Sequence, residues 1–527
     1  MAQLDVGTPS FNLWTEPWIT VERPGGQLDV LNIQQTLMEA PNIRALYEPS
    51  PLVVVAVHRL LVAVLQDSLR PERVADLVKI WRDGQFSAEA LQCFDDTYAA
   101  RFDLFSAAAP FLQSADLPLV ADKKDGPKPI GYLLTEQPAG TAVTHYTHAY
   151  DAEQQFCSRC VAKGLLLIPA FASSGGSGIK PSINGVPPIY VLPGGETLFT
   201  SLAASLTLPN FQPGRAEGDA AWWSRSPIVK KKEIVKRVGY LHSLTFPARR
   251  VRVHPVVGQR PCTRCGQQTA WHAATMIYEM GQSRPEDAVW WRDPFAAYRK
   301  PKTANEEPLP IRPVEGRPVW REFSGLFLPS QPDETKLHAY RPSILEQLEE
   351  LPEEVFPFKG SIIPLRVISL RTDMKMKIFE WEESGFAVPP RLLREVDTAK
   401  QIEESLEFAV KCAGILKGTF KDYFGGGGKD KNRLKSINVH METRYWQALG
   451  QTFRAHIQRY TSQANTAALF EDWLQLVIRQ AIDTFEEASK LLPDDGAGLA
   501  LRVQANSHCQ AKLYSYRKKT YPMEERQ

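Results

Sequence analysis

The chain contains no GxxxxGK[ST], HExxH, GxSxG or DFG motif. Phosphate-loop, zinc-peptidase, serine-hydrolase and kinase chemistries need those residues at those spacings, so their absence shifts the reading from enzyme toward binding protein. No carboxylate cluster of the two-metal nuclease type stands out either. His242, His254, His272, His338 and His440 are scattered without partners at catalytic spacing and are expected to be satisfied structural residues. Long apolar runs are missing too: a bilayer-spanning helix needs about 18 or more consecutive apolar residues. The nearest approach, PLVVVAVHRLLVAVLQD from Pro51, is interrupted by His58 and Arg59, and no membrane partner is expected. The opening MAQLDVGTPSFNLWTEPWITV has no basic region ahead of an apolar core and does not read as a signal peptide. Cysteine is sparse, 7 in 527 residues, and four of the seven stand in two CxxC pairs, which fits a reducing cytoplasm and a metal better than a disulfide framework. A net charge of +2 excludes no partner, because a nucleic-acid binder needs positive charge concentrated locally rather than in total. Internal repeats and low-complexity tracts are absent.

A chain of this length is too long for one core, since single cores stop growing at roughly 250–300 residues. Proline (40) and glycine (33) point to long, turn-rich connections in part of it. Residues 11–50 read as short strands and a first helix, 51–98 as helical, with Pro71 suited to a helix start and Gly84 to a break. The stretch 110–147 is rich in Pro, Gly and charge and has no sustained period, a kind of connection that is usually functional or disordered. PPIYVL, GYLHSLTF and RVRVHPVV look like strands, and SIIPLRVISLRTDMKMKIFEWEESGF alternates as two strands of a hairpin would. From residue 391 the period becomes helical. Segments 391–422, 438–460, 464–492 and 496–516 are separated by Gly, Asn and Pro signals, the pattern of an up-and-down bundle. The expected fold is therefore α+β: a large mixed N-terminal domain with irregular loops, residues 1–390, followed by a four-helix bundle, residues 391–527.

The sharpest chemistry lies in FCSRCVAKG, with Cys157 and Cys160, and RPCTRCGQQ, with Cys262 and Cys265. Two-residue spacing lets both thiolates of a pair reach one tetrahedral ion, and four soft sulfurs favour zinc. One zinc ion clipping two distant segments is the expected arrangement. Four thiolates leave no open coordination position, so such an ion would be structural. The competing readings are plain reduced cysteines and, more remotely, a redox CxxC. Cys93, Cys412 and Cys509 lie in helical, apolar surroundings and read as core residues.

AFASSGGSGIKPSINGVPP places Gly175, Gly176, Gly178 and Gly185 around Lys180. Positions without a side chain let backbone approach a ligand closely, so this loop could meet base edges while Lys180 meets phosphate; a ligand-free linker is the alternative. Its base, 10 residues past Cys160, is expected to be anchored by the metal knuckle. Basic runs at Lys230–Arg237, Arg249–Arg252, Gly425–Lys435 and Lys512–Lys519 are candidate phosphate-facing surfaces.

The ordered series FNLWTEPWITV, RFDLFSAAAPFLQ, CSRC followed by the Gly/Lys loop, GYLHSLTFPARRVRVHP, WWRDPFAAY and the terminal helical pattern resembles the CasA family, the large subunit of the type I-E CRISPR Cascade complex, over essentially the whole chain. The resemblance implies a non-enzymatic subunit of an RNA-guided complex that reads the PAM in duplex DNA, largely from the minor groove. Such a subunit opens the strands for guide pairing and helps recruit the helicase-nuclease. Implied partners are the other Cascade subunits, the 5′ handle of the guide RNA, the target duplex and its displaced strand. By position, Ser174–Lys180 is the glycine loop, with Gly175, Gly176, Gly178 and Lys180 as DNA contacts. Residues 113–148 form the docking loop, with Tyr146 at its aromatic position. The wedge falls at Arg371, Thr372, Asp373 and Met374, without the glutamine and asparagine of other members. Where the family has a minor-groove lysine, this chain offers Arg264, Gln267 and Gln268. A scaffold without DNA readout and a zinc-stabilised nuclease are the rival functions.

Overall fold

In the computed structural model, the apolar run from Pro51 folds as one uninterrupted helix, Pro51–Leu69 (α1). It starts on a proline, which loses nothing at a helix N-terminus. The two polar residues do not break it. His58 is hydrogen-bonded to Ser205 at 2.8 Å, and the Arg59 guanidinium meets both Asp293 oxygens at 2.9 and 3.0 Å, lying over the rings of Tyr190 and Phe295. α1 is thus long and apolar enough to cross a membrane, contrary to the expectation from sequence, but 89% of its most apolar window is buried inside the protein. A buried charge persists only when paired and hydrogen-bonded, which is what Asp293 supplies.

The residues described are 7–120, 126–136, 154–173, 178–214, 218–285, 290–301, 307–329, 339–352, 362–372, 378–425, 431–492 and 495–522. They divide into two compact units. The first holds residues up to Pro313 together with 339–352 and 363–385 as far as described, and its architecture is mixed. A small sheet, Ile19–Glu22 between Leu28–Leu31 and Ala45–Leu46, opens it. Helices Val74–Asp83, closed by Gly84, and Ala88–Tyr98 follow α1. Cys93 in the latter is exposed and not a core residue, because it stands on the outward side of a surface helix.

A four-stranded sheet carries the candidate site. Its centre is the antiparallel pair Arg249–Val257 (β2) and Trp271–Met280 (β3), in register from Arg249 opposite Met280 to Val257 opposite Trp271, with an irregularity between His254 and Pro255. Phe156–Cys157 (β1) and Lys128–Pro129 line the other edge of β3. β1 runs directly into helix Ser158–Phe171 (α2). GYLHSLTF, read from sequence as a strand, is instead the short helix Tyr240–Leu244, whose first turn is fixed by Asp219 accepting from the backbone N–H groups of Leu241 and His242. Strands Ile363–Thr372 (β4) and Ile378–Val388 (β5) are hydrogen-bonded neighbours, as the alternation suggested, and β4 also pairs with Tyr190–Pro193.

The second unit contains four long helices, Val396–Phe424 (α3), Lys431–Gln458 (α4), Thr466–Ser489 (α5) and Gly496–Thr520 (α6), which pack as a bundle. Its seams are aromatic: Trp473 donates to the Ser405 carbonyl at 3.0 Å, Tyr445 to that of Ala409 at 2.9 Å, and Phe408 stacks on Tyr516. Cys412 and Cys509 are buried here. Residues 314–329 belong with the helices: Trp320 and Phe323 pack on Phe453, and the Arg321 guanidinium sits 3.7 Å from the ring centre of Trp446. Burial pushes that guanidinium down to about 10. Gly450 lets the chain come this close, since a Cβ there would lie 2.6 Å from Trp320 Nε1.

Candidate metal centre and glycine-loop platform

Cys262 and Cys265 stand in the loop that joins β2 to β3, and Cys157 and Cys160 stand at the β1–α2 junction beside it. Their register explains the meeting: Cys157 is opposite His272 on β3, next to the end of the hairpin where the loop begins. The four sulfurs all lie within 4.8 Å of one another, and Cys157 Sγ is 3.6 Å from Cys265 Sγ. Sulfurs at about 2.3 Å from a tetrahedral zinc are about 3.8 Å apart, so the set fits one ion. The second pair has the form of a knuckle. The Gly266 N–H donates to the Cys262 carbonyl at 2.8 Å, the Cys262 N–H to the Gln267 carbonyl at 2.8 Å, and Gly266 takes the φ of +73° that such a reversal requires. Three of the four cysteines are buried and Cys265 is exposed. Hydrogen bonds from Cys157 and Cys160 hold the Cys262 thiol far below its ordinary value and bring Cys265 down to about 6. The cluster can therefore coordinate a metal ion. Among the described residues it is the one group of three or more His, Cys, Asp or Glu side chains placed to do so.

The glycine loop lies elsewhere. α2 separates it from the cysteines: the helix begins at the metal site and ends at Phe171, about 21 Å away at 1.5 Å per residue. The expectation that a metal knuckle anchors the loop is thus not met. Arg249 anchors it instead. At the far end of β2, and 1% exposed, Arg249 donates to the Ser173 carbonyl at 2.5 Å and to the Lys180 carbonyl at 2.8 Å, the two stems on either side of 174–177. Lys180 N–H meets Met280 Sδ at 3.2 Å, and Ser182 returns to the end of α2 through Ala172 and Pro169. Gly175 and Gly176 lie outside the described residues. Gly178 is exposed at φ +81°, and Lys180 is exposed beside it.

The basic run Arg249–Arg252 is consequently not a phosphate-facing surface. Arg249 and Arg252 are buried, the latter donating to the Ser106 carbonyl, and Arg250 is paired with Asp116 and Glu279. In the run Lys230–Arg237, Lys230, Lys231, Lys232, Lys236 and Arg237 are exposed, Lys231 in an ion pair with Glu279 at 2.8 Å. The run lies alongside Met280–Ser283, with Lys232 N–H on the Met280 carbonyl at 3.1 Å. This brings Lys232 to the glycine loop, its Nζ 3.6 Å from where a Cβ on Gly178 would be.

Arg264, Gln267 and Gln268 are on the knuckle, past the Trp271 end of β3, while Lys180 meets its Met280 end, roughly 30 Å along the strand at about 3.3 Å per residue. Gln267 and Gln268 are exposed, whereas Arg264 is occupied by an ion pair with Glu136 at 2.5 Å. The glycine-loop and knuckle residues predicted to contact DNA therefore lie at opposite ends of one hairpin. Arg371 and Thr372 close β4, a third location, with Arg371 paired to Glu380 and lying over Phe379. Asp373, Met374 and Tyr146 lie outside the described residues. Arg249 and Lys232 were missed as a working pair. The available signal was alternation, which places Arg249 on the same strand face as the buried Val251 and Val253.

Comparison with known proteins agrees with this architecture. A family model described as CRISPR-associated protein Cse1 matches residues 12–484. CRISPR-associated protein CasA/Cse1 of Thermus thermophilus is 28% identical over 512 residues, 92% of this chain and 93% of that protein. The crystal structure of Cse1 from Acidimicrobium ferrooxidans superposes with a TM-score of 0.78 at 20% identity, over 98% of this chain and 100% of the other. A chain of a CRISPR RNA-guided surveillance complex superposes with a TM-score of 0.72 at 19% identity, over 96% and 100%.

Proposed function

This chain belongs to the CRISPR-associated Cse1 family, and we propose that it serves as the PAM-reading large subunit of a Cascade surveillance complex. The observation that carries this reading is the platform made by Arg249, which holds both stems of the glycine loop and presents Gly178, Lys180 and Lys232 on one exposed surface. A Gly-rich backbone flanked by two lysines suits a duplex groove: backbone groups face base edges and ammonium groups face phosphates. Long-range sequence specificity is delegated to guide pairing, so a short motif beside the target is all the protein must read.

In this account Gly175, Gly176, Gly178 and Lys180 touch the duplex, and the β4–β5 turn with Arg371, Thr372, Asp373 and Met374 separates the strands. Gln267, Gln268 and, once released from Glu136, Arg264 flank the groove from the knuckle. Tyr146 docks on the guide 5′ handle or a neighbouring subunit. The domain of residues 1–390 does this work, the bundle of residues 391–527 meets the displaced strand, and the subunit helps recruit the helicase-nuclease. The four cysteines hold one structural zinc, the subunit has no catalytic centre of its own, and it works in the cytoplasm. Family membership and the likeness to a chain of an assembled surveillance complex support this reading.

The test is binding of guide-loaded complex, assembled with and without this chain, to duplexes that differ only in the base pairs beside the guide-matched segment, at fixed salt. Discrimination of about tenfold or more that depends on the chain is expected, the scale of a single good base contact. Equal binding to all duplexes with assembly intact would leave the scaffold reading in its place.

A further inference from the structure

Behind the glycine loop, the segment from Lys180 to Gly185 and the segment from Glu307 to Arg312 form the walls of a cleft of about 210 Å³, closed on one side by Trp290 and Trp291. Its floor is pinned. Asn184 donates to Asp293 at 3.0 Å and accepts from Tyr298 at 3.0 Å, and Asp293 is the partner of the buried Arg59. The cleft is therefore part of the folded core's edge and not a gap between loose loops.

Its lining is cationic and aromatic. Among the described residues, Lys180, Arg284 and Arg312 share it with one carboxylate, Glu307. Arg312 Nη2 lies 3.4 Å from the position of a Cβ on Gly185, its Nε is buried without a hydrogen-bond partner, and among the described residues it has no carboxylate partner. Burial pushes the Arg312 guanidinium down from its ordinary value, so an anion arriving there relieves a cost already present in the fold. Trp290 is 36% exposed yet held in place, edge-on to Tyr298 with ring centres 6.1 Å apart and tilted against Tyr340 at 5.6 Å. A fixed, partly exposed indole beside an under-neutralised guanidinium is the combination that takes a base and its phosphate. The volume, about 210 Å³, is below the roughly 300–1,000 Å³ of pockets for drug-sized ligands, room for one base with its phosphate left at the open mouth.

We propose that this cleft is a single-stranded DNA subsite that receives one unpaired nucleotide of the displaced strand, its base against Trp290 and its phosphate on Arg312 and Lys180. Only an unpaired base offers its face to an indole, so the site discriminates opened from closed DNA rather than one base from another. Lys180 belongs to both the glycine loop and the cleft, so a nucleotide held here sits immediately beside the duplex that the loop engages. This placement of the strand rests on the PAM-reading function proposed above. A captured nucleotide would oppose strand closure after opening.

The assembled complex tests it with 2-aminopurine placed at successive displaced-strand positions next to the PAM, in a full duplex and in a duplex with a pre-opened bubble. Quenching at one or two adjacent positions is expected, lost in Trp290→Ala, retained in Trp290→Phe, and about tenfold weaker in probe affinity with Arg312→Gln, with PAM discrimination unchanged in all three. No quenched position, quenching that persists in Trp290→Ala, or a Trp290-dependent signal from 2-aminopurine in the guide 5′ handle instead, would overturn it. The bubble separates the two proposals: if PAM reading fails, discrimination vanishes while bubble quenching remains, and if the cleft fails the reverse is seen. The conservative Trp290→Phe variant guards against a misfolded alanine variant.

Discussion

The two ends of the β2–β3 hairpin are held by different physics. At one end four cysteines from two segments converge within 4.8 Å; at the other a single buried arginine bridges two loop stems. The cysteine end is a closed set, its four sulfurs gathered on one another with Cys265 exposed at the edge. The arginine end is an open one, in which two carbonyls are satisfied so that the residues between them can face outward. One end closes on itself and the other faces outward, and α2 and β3 run between them over roughly 20–30 Å.

Removing a metal ligand should have the largest effect. Structural zinc contributes about 10–16 kcal/mol of apparent binding energy in small zinc domains, all of it coupled to folding. Cys262→Ser, or a strong chelator, is expected to abolish stoichiometric metal and to lower the melting temperature of the first unit while the bundle's transition stays put. Metal analysis alongside calorimetry reads both, and a chain that melts unchanged without metal would remove the structural role.

Arg249→Met comes next. It leaves the carbonyls of Ser173 and Lys180 without their charged donor, at about 1.5–3 kcal/mol for each such hydrogen bond. The comparison sharpens if this variant retains its metal but exposes the loop to protease between residues 173 and 180, while Cys262→Ser leaves that site protected. Equal loop protection in both would mean that the two ends are not independently held.

Protonation offers a contrast between the units. Burial holds His242 in the first unit and His456 in the bundle down to about 4, each also repelled by a neighbouring arginine, Arg225 or Arg459. The unfolded chain takes up these protons near pH 6.5, so stability is full above that pH and is lost as pH falls from 6.5 toward 4, by about 3 kcal/mol for each histidine. His456 Nε2 has no acceptor and its ring packs on Trp473, so His456→Phe should flatten the acid limb of the bundle's urea midpoint and leave the first unit's unchanged. An unaltered pH profile would contradict this assignment. The smallest effect is expected from Gly450→Ala. The new methyl would meet Trp320 Nε1 at 2.6 Å, costing about 1–3 kcal/mol by overpacking, readable as a lower urea midpoint.

How far this was legible in sequence follows from periodicity. The four bundle helices were readable because their 3.6-residue period runs for 24–29 residues between Gly, Asn and Pro breaks. The cysteine cluster was readable because two CxxC pairs restrict what can satisfy them. The platform was not. Arg249–Arg252 looks like a solvated face in one dimension, yet Arg249 shares its strand face with Val251 and Val253, and Arg252 is covered on the other side by the carbonyl of Ser106. GYLHSLTF misled because its alternation is genuine but short, and Asp219, far upstream in the chain, caps it into a helix. Lys232 next to Gly178 could not be read at all, because a parallel pairing of Glu233–Ile234 with Gln282–Ser283 brings them together.

The most direct measurement is PAM discrimination by the assembled complex carrying Gly178→Asp at the arginine end or Gln268→Ala at the metal end. At φ +81°, and beside Lys232, an aspartate strains the loop, sets its carboxylate near that lysine and opposes phosphate. The account predicts that Gly178→Asp lowers discrimination by about tenfold or more with assembly and melting temperature preserved, and that Gln268→Ala lowers it by less than about threefold. Discrimination that survives Gly178→Asp, or that depends on Gln268 more than on Gly178, would contradict it.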